Sequence, residues 1–425
     1  MKKKIKNKQE RGITLIALVV TIVVLLILAG VSISLVLNNN GVISKSKEAR
    51  KQYAEAQTNE EKQLGETGDW IEETTTGVVK IEGVVIPEGY YYVGGTKAKG
   101  IVISDNPNDN ELDKGKEDVR RDLAGNQWVW VPVDTPSSLY TTVDEGVALD
   151  GSTGVKTTKY TNSAIISGNA RGLPGSRTWR EPDILTASGY DDTNYATAGF
   201  SSLANMAETM VSEYDEMIAS LEKYKGFYIG RYELTANGEK TGATQTGITW
   251  YEHYKNCTTL AKGSKVKTRM IWGLQWDATC KWLAASKFDI YNSTKWGNYE
   301  DNTANGAGSK QNTGFSESWK ANNIYDFAGN CYEWTQEANY GSSRAYRGGG
   351  YHVAGFRNSA SSRFVGYSPT GTYSVHGSRP TLYLIPWDRE YKLKRVKSKM
   401  VYYMVCKLIL TYHIFCTQVN INIIK

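Results

Sequence analysis

"GNCYEWTQEANYGSSRAYRGGGYHVAGFRNSASSRF" runs from Gly329 to Phe364. It sets Trp, Tyr, Arg, Gly and Ser at a density that ordinary core sequence lacks. Two readings compete for it: an active site without its nucleophile, or a surface built to hold a ligand. The whole chain bears on the choice. Its 425 residues leave room for one large domain or two ordinary ones. With 28 Tyr and 12 Trp, it has aromatics enough to fill a core and still line a surface.

The net charge of +6 is unevenly placed. Residues 1–12 carry six basic and one acidic side chain, and residues 386–425 carry eight basic and two acidic. The body between them is therefore net acidic, which argues against nucleic acid as a partner. Cys257, Cys280, Cys331, Cys406 and Cys416 form no CxxC pair, which argues against a zinc site. Cys257 and Cys280 either pair outside the cytoplasm or stay as buried thiols.

The N-terminus reads as an export and anchoring device. Six Lys and Arg precede Gly12, and Ile13 to Leu37 is uncharged over 25 residues. A membrane-spanning helix needs about 20 apolar residues, and the basic flank holds its own side in the cytoplasm. This predicts a single-pass membrane protein with the bulk of the chain outside. Residues 38–77 are charged and poor in apolar side chains, and read as a helical stalk and linker.

From residue 78 the pattern changes to short apolar runs between turn residues. "NQWVWVPV" (126–133) and "GFYIGRYELT" (226–235) read as strands, the second with Phe227, Ile229 and Tyr232 inward. Leu203, Met206, Met210, Tyr214, Met217, Leu221 and Tyr224 recur at helical spacing. Trp276, Cys280 and Leu283 share a face of a second helix. Regions 135–200 and 288–320 are rich in Thr, Asn, Gly and Ser and read as long loops.

Two resemblances sharpen these readings. "RGITLIALVV" resembles the prepilin-type leader of type IV pilins and type II secretion pseudopilins. That implies cleavage after Gly12 by a prepilin peptidase, methylation of Ile13, and pilus subunits as partners. The family usually carries Glu five residues after the cut, where this chain has Ala17, so filament assembly is less supported than processing. The second resemblance rests on "VWVPV", "GFYIGRYELT", "MIWGLQWDATCKWLA", "NNIYDFAGNCYEWT", "AYRGGGYH" and "GSRPTLYL", which span about residues 126–384. Together they resemble the formylglycine-generating-enzyme (sulfatase-modifying factor) family. The fold this implies is α+β: an N-terminal transmembrane and stalk helix, then an irregular C-type-lectin-like domain over 78–385 with little regular secondary structure. Residues 386–425 are Lys-rich, then rich in Ile, Tyr and Cys, and read as an atypical tail outside that fold.

Active members of that family are copper-dependent oxidases with two Cys shortly after the Arg-Gly-Gly turn. Counting on from Arg347, Val353 and Asn358 stand near those places, and no Cys lies between Tyr332 and Met400. A Cu(I) site needs soft thiolates, so no copper is expected. The four His, at 253, 352, 376 and 413, do not cluster as the three-His iron site of a related branch requires. The resemblance also implies a calcium site on Asp326, the carbonyls of Gly329 and Cys331, and Glu333, an oxygen donor set suited to a hard cation. The structural alternative is that Asp326 and Glu333 cap the loop and pair with an Arg such as Arg347.

The C-terminal stretch then reads as a ligand-binding face. It presents Tyr340, Tyr346, Tyr351, His352, Phe356, Arg357, Arg363, Tyr367, Tyr373 and His376, with Ser and Gly between. Rigid aromatics among adaptable polar residues are a binding-surface composition. The stretch is also similar to the variable proteins of diversity-generating retroelements, which carry their randomised residues on this face. The expectation is a non-enzymatic, adhesin-like surface protein with an unknown extracellular ligand. A structural minor pseudopilin and an enzyme of other chemistry are the alternatives.

Overall fold

The computed structural model describes residues 19–28, 48–52, 78–148, 156–162, 179–182, 184–185, 192–339 and 343–386. The basic leader, most of the expected anchor and stalk, Tyr340 and the tail from 387 lie outside the described residues. The chain divides into two compact units, Met1–Thr76 and Gly77–Lys425. In the first, residues 19–28 and 48–52 are helical. No helix among the described residues is long and apolar enough to cross a membrane.

The second unit opens with a hairpin of β1 (Val79–Ile81) and β2 (Val84–Ile86). The strands β3 (Tyr91–Gly94), β4 (Val102–Ser104) and β5 (Gln127–Pro132) follow and pair in sequence order, antiparallel. Then come β6 (Tyr140–Ala148), β7 (Lys156–Asn162) and β8 (Trp179–Arg180). Helix α1 (Leu203–Tyr224) leads into β9 (Gly226–Gly230). Helix α2 (Trp250–Cys257), β10 (Val266–Met270) and α3 (Gly273–Ala285) come next. Short strands β11 (Lys320–Ala321) and β12 (Ile324–Tyr325) precede β13 (Tyr332–Asn339), β14 (Arg344–Arg347), β15 (Arg363–Phe364), β16 (His376–Ser378) and β17 (Pro380–Leu384).

These strands make one six-stranded sheet in the order β10-β17-β9-β5-β4-β3. A five-stranded sheet runs β15-β14-β13-β16, with β8 also on β13. The expected α+β class with little regular secondary structure is therefore corrected, because sheet dominates the described residues. The expected transmembrane and stalk helix falls mostly outside the described residues, among which no helix has the length and apolarity to cross a membrane. The region 135–200 also departs from the loop expected there, since β6 and β7 pair antiparallel from Tyr140↔Asn162 to Ala148↔Lys156.

The six-stranded sheet is buried on both faces, and the period-2 alternation of its strands sorts side chains between two cores. Val129 and Val131 of β5 join one core, while Trp128 and Trp130 join the other. On β9, Phe227 and Ile229 face the first core, and Tyr228 faces the second. Tyr228 packs its ring edge-on to Trp130 at 4.9 Å. The first core is completed by the expected stripe of α1: Met206, Met210, Tyr214, Met217 and Leu221 are fully buried. Ser202 caps that helix by accepting the Asn205 N–H at 3.0 Å. Lys225 ends it in the left-handed region at φ 59°.

Candidate functional site

The five-stranded sheet places the site. Across it, Trp334 lies opposite Tyr346, Tyr346 opposite Phe364, and Tyr332 beside His376. These rings alternate along their strands with charged residues, so one face is aromatic and the other ionic. On the ionic face, Arg347 and Arg363 hold Asp277 at 2.6 and 2.5 Å, and Arg363 also holds Glu337 at 2.8 Å. All four are buried. Buried ions stay only when paired, and this network fixes β14 and β15 against α3.

On the aromatic face the imidazole of His376 is ringed by five aromatic side chains. Tyr346 and Tyr367 lie at 4.7 Å, Trp334 at 5.0 Å, Tyr373 at 5.1 Å and Tyr332 at 5.3 Å, centroid to centroid. Neither ring nitrogen of His376 has a hydrogen-bond partner. Burial, with repulsion from His253 and His352, pushes its pKa down to about 3.

The residues expected at the surface separate into two sets. Tyr346, Arg363 and His376 are buried, beneath the surface rather than on it. Tyr351 and Tyr373 are half-buried, and His352, Phe356, Arg357 and Tyr367 are exposed. Tyr367 is 41% exposed and stacks edge-on against Tyr373 at 4.6 Å and Tyr346 at 5.4 Å. Tyr351 and His352 meet at 5.0 Å. The exposed rings thus crown a packed aromatic stack, which limits their rotamer freedom before any ligand arrives.

Phe356, 53% exposed, is presented by the turn that begins at Ala354. Gly355 allows this, since a Cβ there would sit 2.6 Å from the Thr294 backbone nitrogen. Phe356 walls a cleft of 570 Å³ that it shares with Phe288 and Trp296. The alternation across β13–β16 that builds the stack was open to sequence reasoning, yet Tyr332, Trp334 and Phe364 were not singled out. Phe288 and Trp296 carry no local signal, because their neighbour Phe356 lies some sixty residues on.

Below the sheet sits a second buried cluster. Glu233 accepts from Asn330 Nδ2 at 2.6 Å, from the Cys331 N–H at 2.8 Å and from the Thr244 hydroxyl. Asp326 Oδ2 accepts from the Gly314 N–H at 2.7 Å and the Thr313 hydroxyl at 2.9 Å. Glu239 accepts from the Tyr232 N–H at 2.6 Å. Burial pushes the Glu239 carboxyl up to about 8 and that of Asp326 up to about 6. Both oxygens of Glu333 are taken by Arg379, whose Nη2 donates at 2.6 Å and Nε at 3.0 Å.

That pairing decides how the expected calcium ligands stand. Glu333 turns to a guanidinium, though to Arg379 and not to Arg347. Gly329 packs against the Asn298 backbone, and Cys331 is buried. Of the expected ligands, Glu333 is committed to Arg379, while the buried Asp326 Oδ1 has no hydrogen-bond partner. Among the described residues, no three His, Cys, Asp or Glu side chains come together to hold a metal. Cys257, Cys280 and Cys331 are free and buried, with Cys257 and Cys280 unbridged, and burial pushes all three thiols up.

Comparison with known proteins adds little. No family model matches the chain, and no curated protein matches it. Among solved structures, Treponema denticola variable protein 1 aligns at 12% identity over 62% of this chain and 97% of that one, with a TM-score of 0.25. At that score the likeness says nothing about fold or function.

Proposed function

We propose that the protein is a non-enzymatic binding protein displayed at the cell surface, with the exposed rings of the C-terminal stretch as its recognition face. The observation that carries this reading is the aromatic stack around His376. It holds Tyr367 in contact with Tyr346 and Tyr373, and it ends in side chains left exposed among the described residues. Aromatic rings held this way bury large contact areas at low entropic cost. The adjoining cleft at Phe356 gives the face a concave part.

The non-enzymatic half is supported by residue chemistry. Val353 and Asn358 stand near the places where an oxidase of the resembled family carries thiols. The described thiols are buried with raised pKa values, the reverse of a reactive thiolate. The surface location is supported by sequence: six basic residues, then the uncharged run from Ile13 to Leu37.

The test is an array of glycans and cell-surface ligands probed with the full-length chain. Saturable binding that disappears in a Tyr351→Ala, Phe356→Ala variant of unchanged melting temperature is the expected result. A folded chain that binds nothing on such arrays contradicts the reading.

A further inference from the structure

The cleft beside Phe356 carries more than its position. Its aromatic wall is Phe288, Trp296 and Phe356, and its charged residues are Lys287, Lys295, Asp289 and Asp301. At 570 Å³ it lies within the range of small-molecule sites, about 300–1,000 Å³.

The formal charges balance, but their commitments differ. Asp289 Oδ1 accepts the N–H groups of Tyr291 at 3.1 Å and Asn292 at 3.0 Å, closing a turn on its own backbone. Asp301 accepts from the Thr294 hydroxyl and from the Gly355 N–H, each at 2.9 Å. Both carboxylates hold the cleft together. Neither lysine forms an ion pair among the described residues, and both are exposed.

Lys287 is fixed there by the end of α3. It adopts φ 72°, its N–H donates to the Ala284 carbonyl, and the Phe288 N–H donates to the Leu283 carbonyl. That is a left-handed helix stop with a lysine where glycine is usual, and it brings Lys287 and its neighbour Phe288 to the lining of the same cleft. Trp296 is anchored by its Nε1–H, which donates to the Asp289 carbonyl at 3.0 Å. Outside the lining, the exposed Arg357 guanidinium lies 5.3 Å from the Phe356 ring centroid. Two lysines thus line an aromatic cleft on a body that is acidic overall.

From this arrangement we infer that the cleft binds an anionic carbohydrate, a sugar ring carrying a carboxylate. The ring's C–H face stacks on Phe356, and its carboxylate meets Lys287 and Lys295. Its hydroxyls exchange hydrogen bonds with Asn292 and with the second oxygen of Asp289. The inference rests on the binding reading above, and it adds a ligand class and the residues that select it.

The test titrates the full-length chain with trigalacturonate and with its methyl ester, which keeps the rings and removes the charge. The acid is expected to bind at least tenfold more tightly than the ester, and more weakly as salt is raised. A Lys287→Asn, Lys295→Gln variant should lose that preference while melting at the same temperature. Asn is chosen at 287 because it tolerates the left-handed region. Equal binding of acid and ester, or binding of neither by a folded chain, overturns the inference. If array binding then still depends on Phe356 and not on the lysines, the binding reading survives without the anionic ligand. If array binding is absent as well, both fall.

Discussion

At the residue scale, the decisive feature is how many ionisable groups are buried with their charge state forced. His376 and His253 are held neutral by burial, with pKa values pushed down to about 3 and about 4. Their contribution to stability is present above the ordinary histidine pKa near 6.5 and is lost as pH falls toward 4 and 3. Glu239 and Asp326 are shifted the other way, to about 8 and about 6. Their contribution is complete below the ordinary carboxyl range and is lost as pH rises through 6 and then 8. The two trends together predict a stability maximum at about pH 6, readable as melting temperature against pH. Glu239→Gln should flatten the alkaline side, and an unchanged slope there would contradict the assignment. Arg379 offsets the charge of Glu333 from full burial. Arg379→Met leaves a buried carboxylate unpaired and should cost about 3–5 kcal/mol, measured by denaturant unfolding.

At the element scale, legibility followed local pattern. The α1 stripe could be read because Met206, Met210, Tyr214, Met217 and Leu221 repeat at the helical period, and all five are buried. Helix α2 left a signal that went unread: Thr249 and Glu252 form a reciprocal capping box. Thr249→Ala should cost about 1 kcal/mol, seen as a lower denaturant midpoint at unchanged slope. Strands β6 and β7 read as loop in the sequence because "YTTVDEGVA" and "KTTKYTN" show no apolar alternation. The two-residue strands β8, β11, β12 and β15 are too short for any periodicity. What makes sheet dominate is pairing between distant segments, such as β17 between β10 and β9, and sequence spacing does not encode that.

At the scale of the whole molecule, the same long-range pairing divides the tyrosines between core and surface. Composition marked Tyr346 and Tyr367 alike, but Tyr346 lies opposite Trp334 inside the sheet while Tyr367 lies outside its strands. The proposed recognition face is a crown on a buried stack, and damage to the stack and damage to the crown should be separable. Met210→Ala, deep in the first core, should cost about 2–5 kcal/mol and leave binding intact below its melting point. The most direct measurement is array binding and melting temperature taken together on a Phe356→Ala, Tyr367→Ala variant of the full-length chain. Both rings are exposed, so loss of binding at an unchanged melting temperature is the predicted result. Binding equal to that of the unaltered chain would contradict the claim that this face holds the ligand.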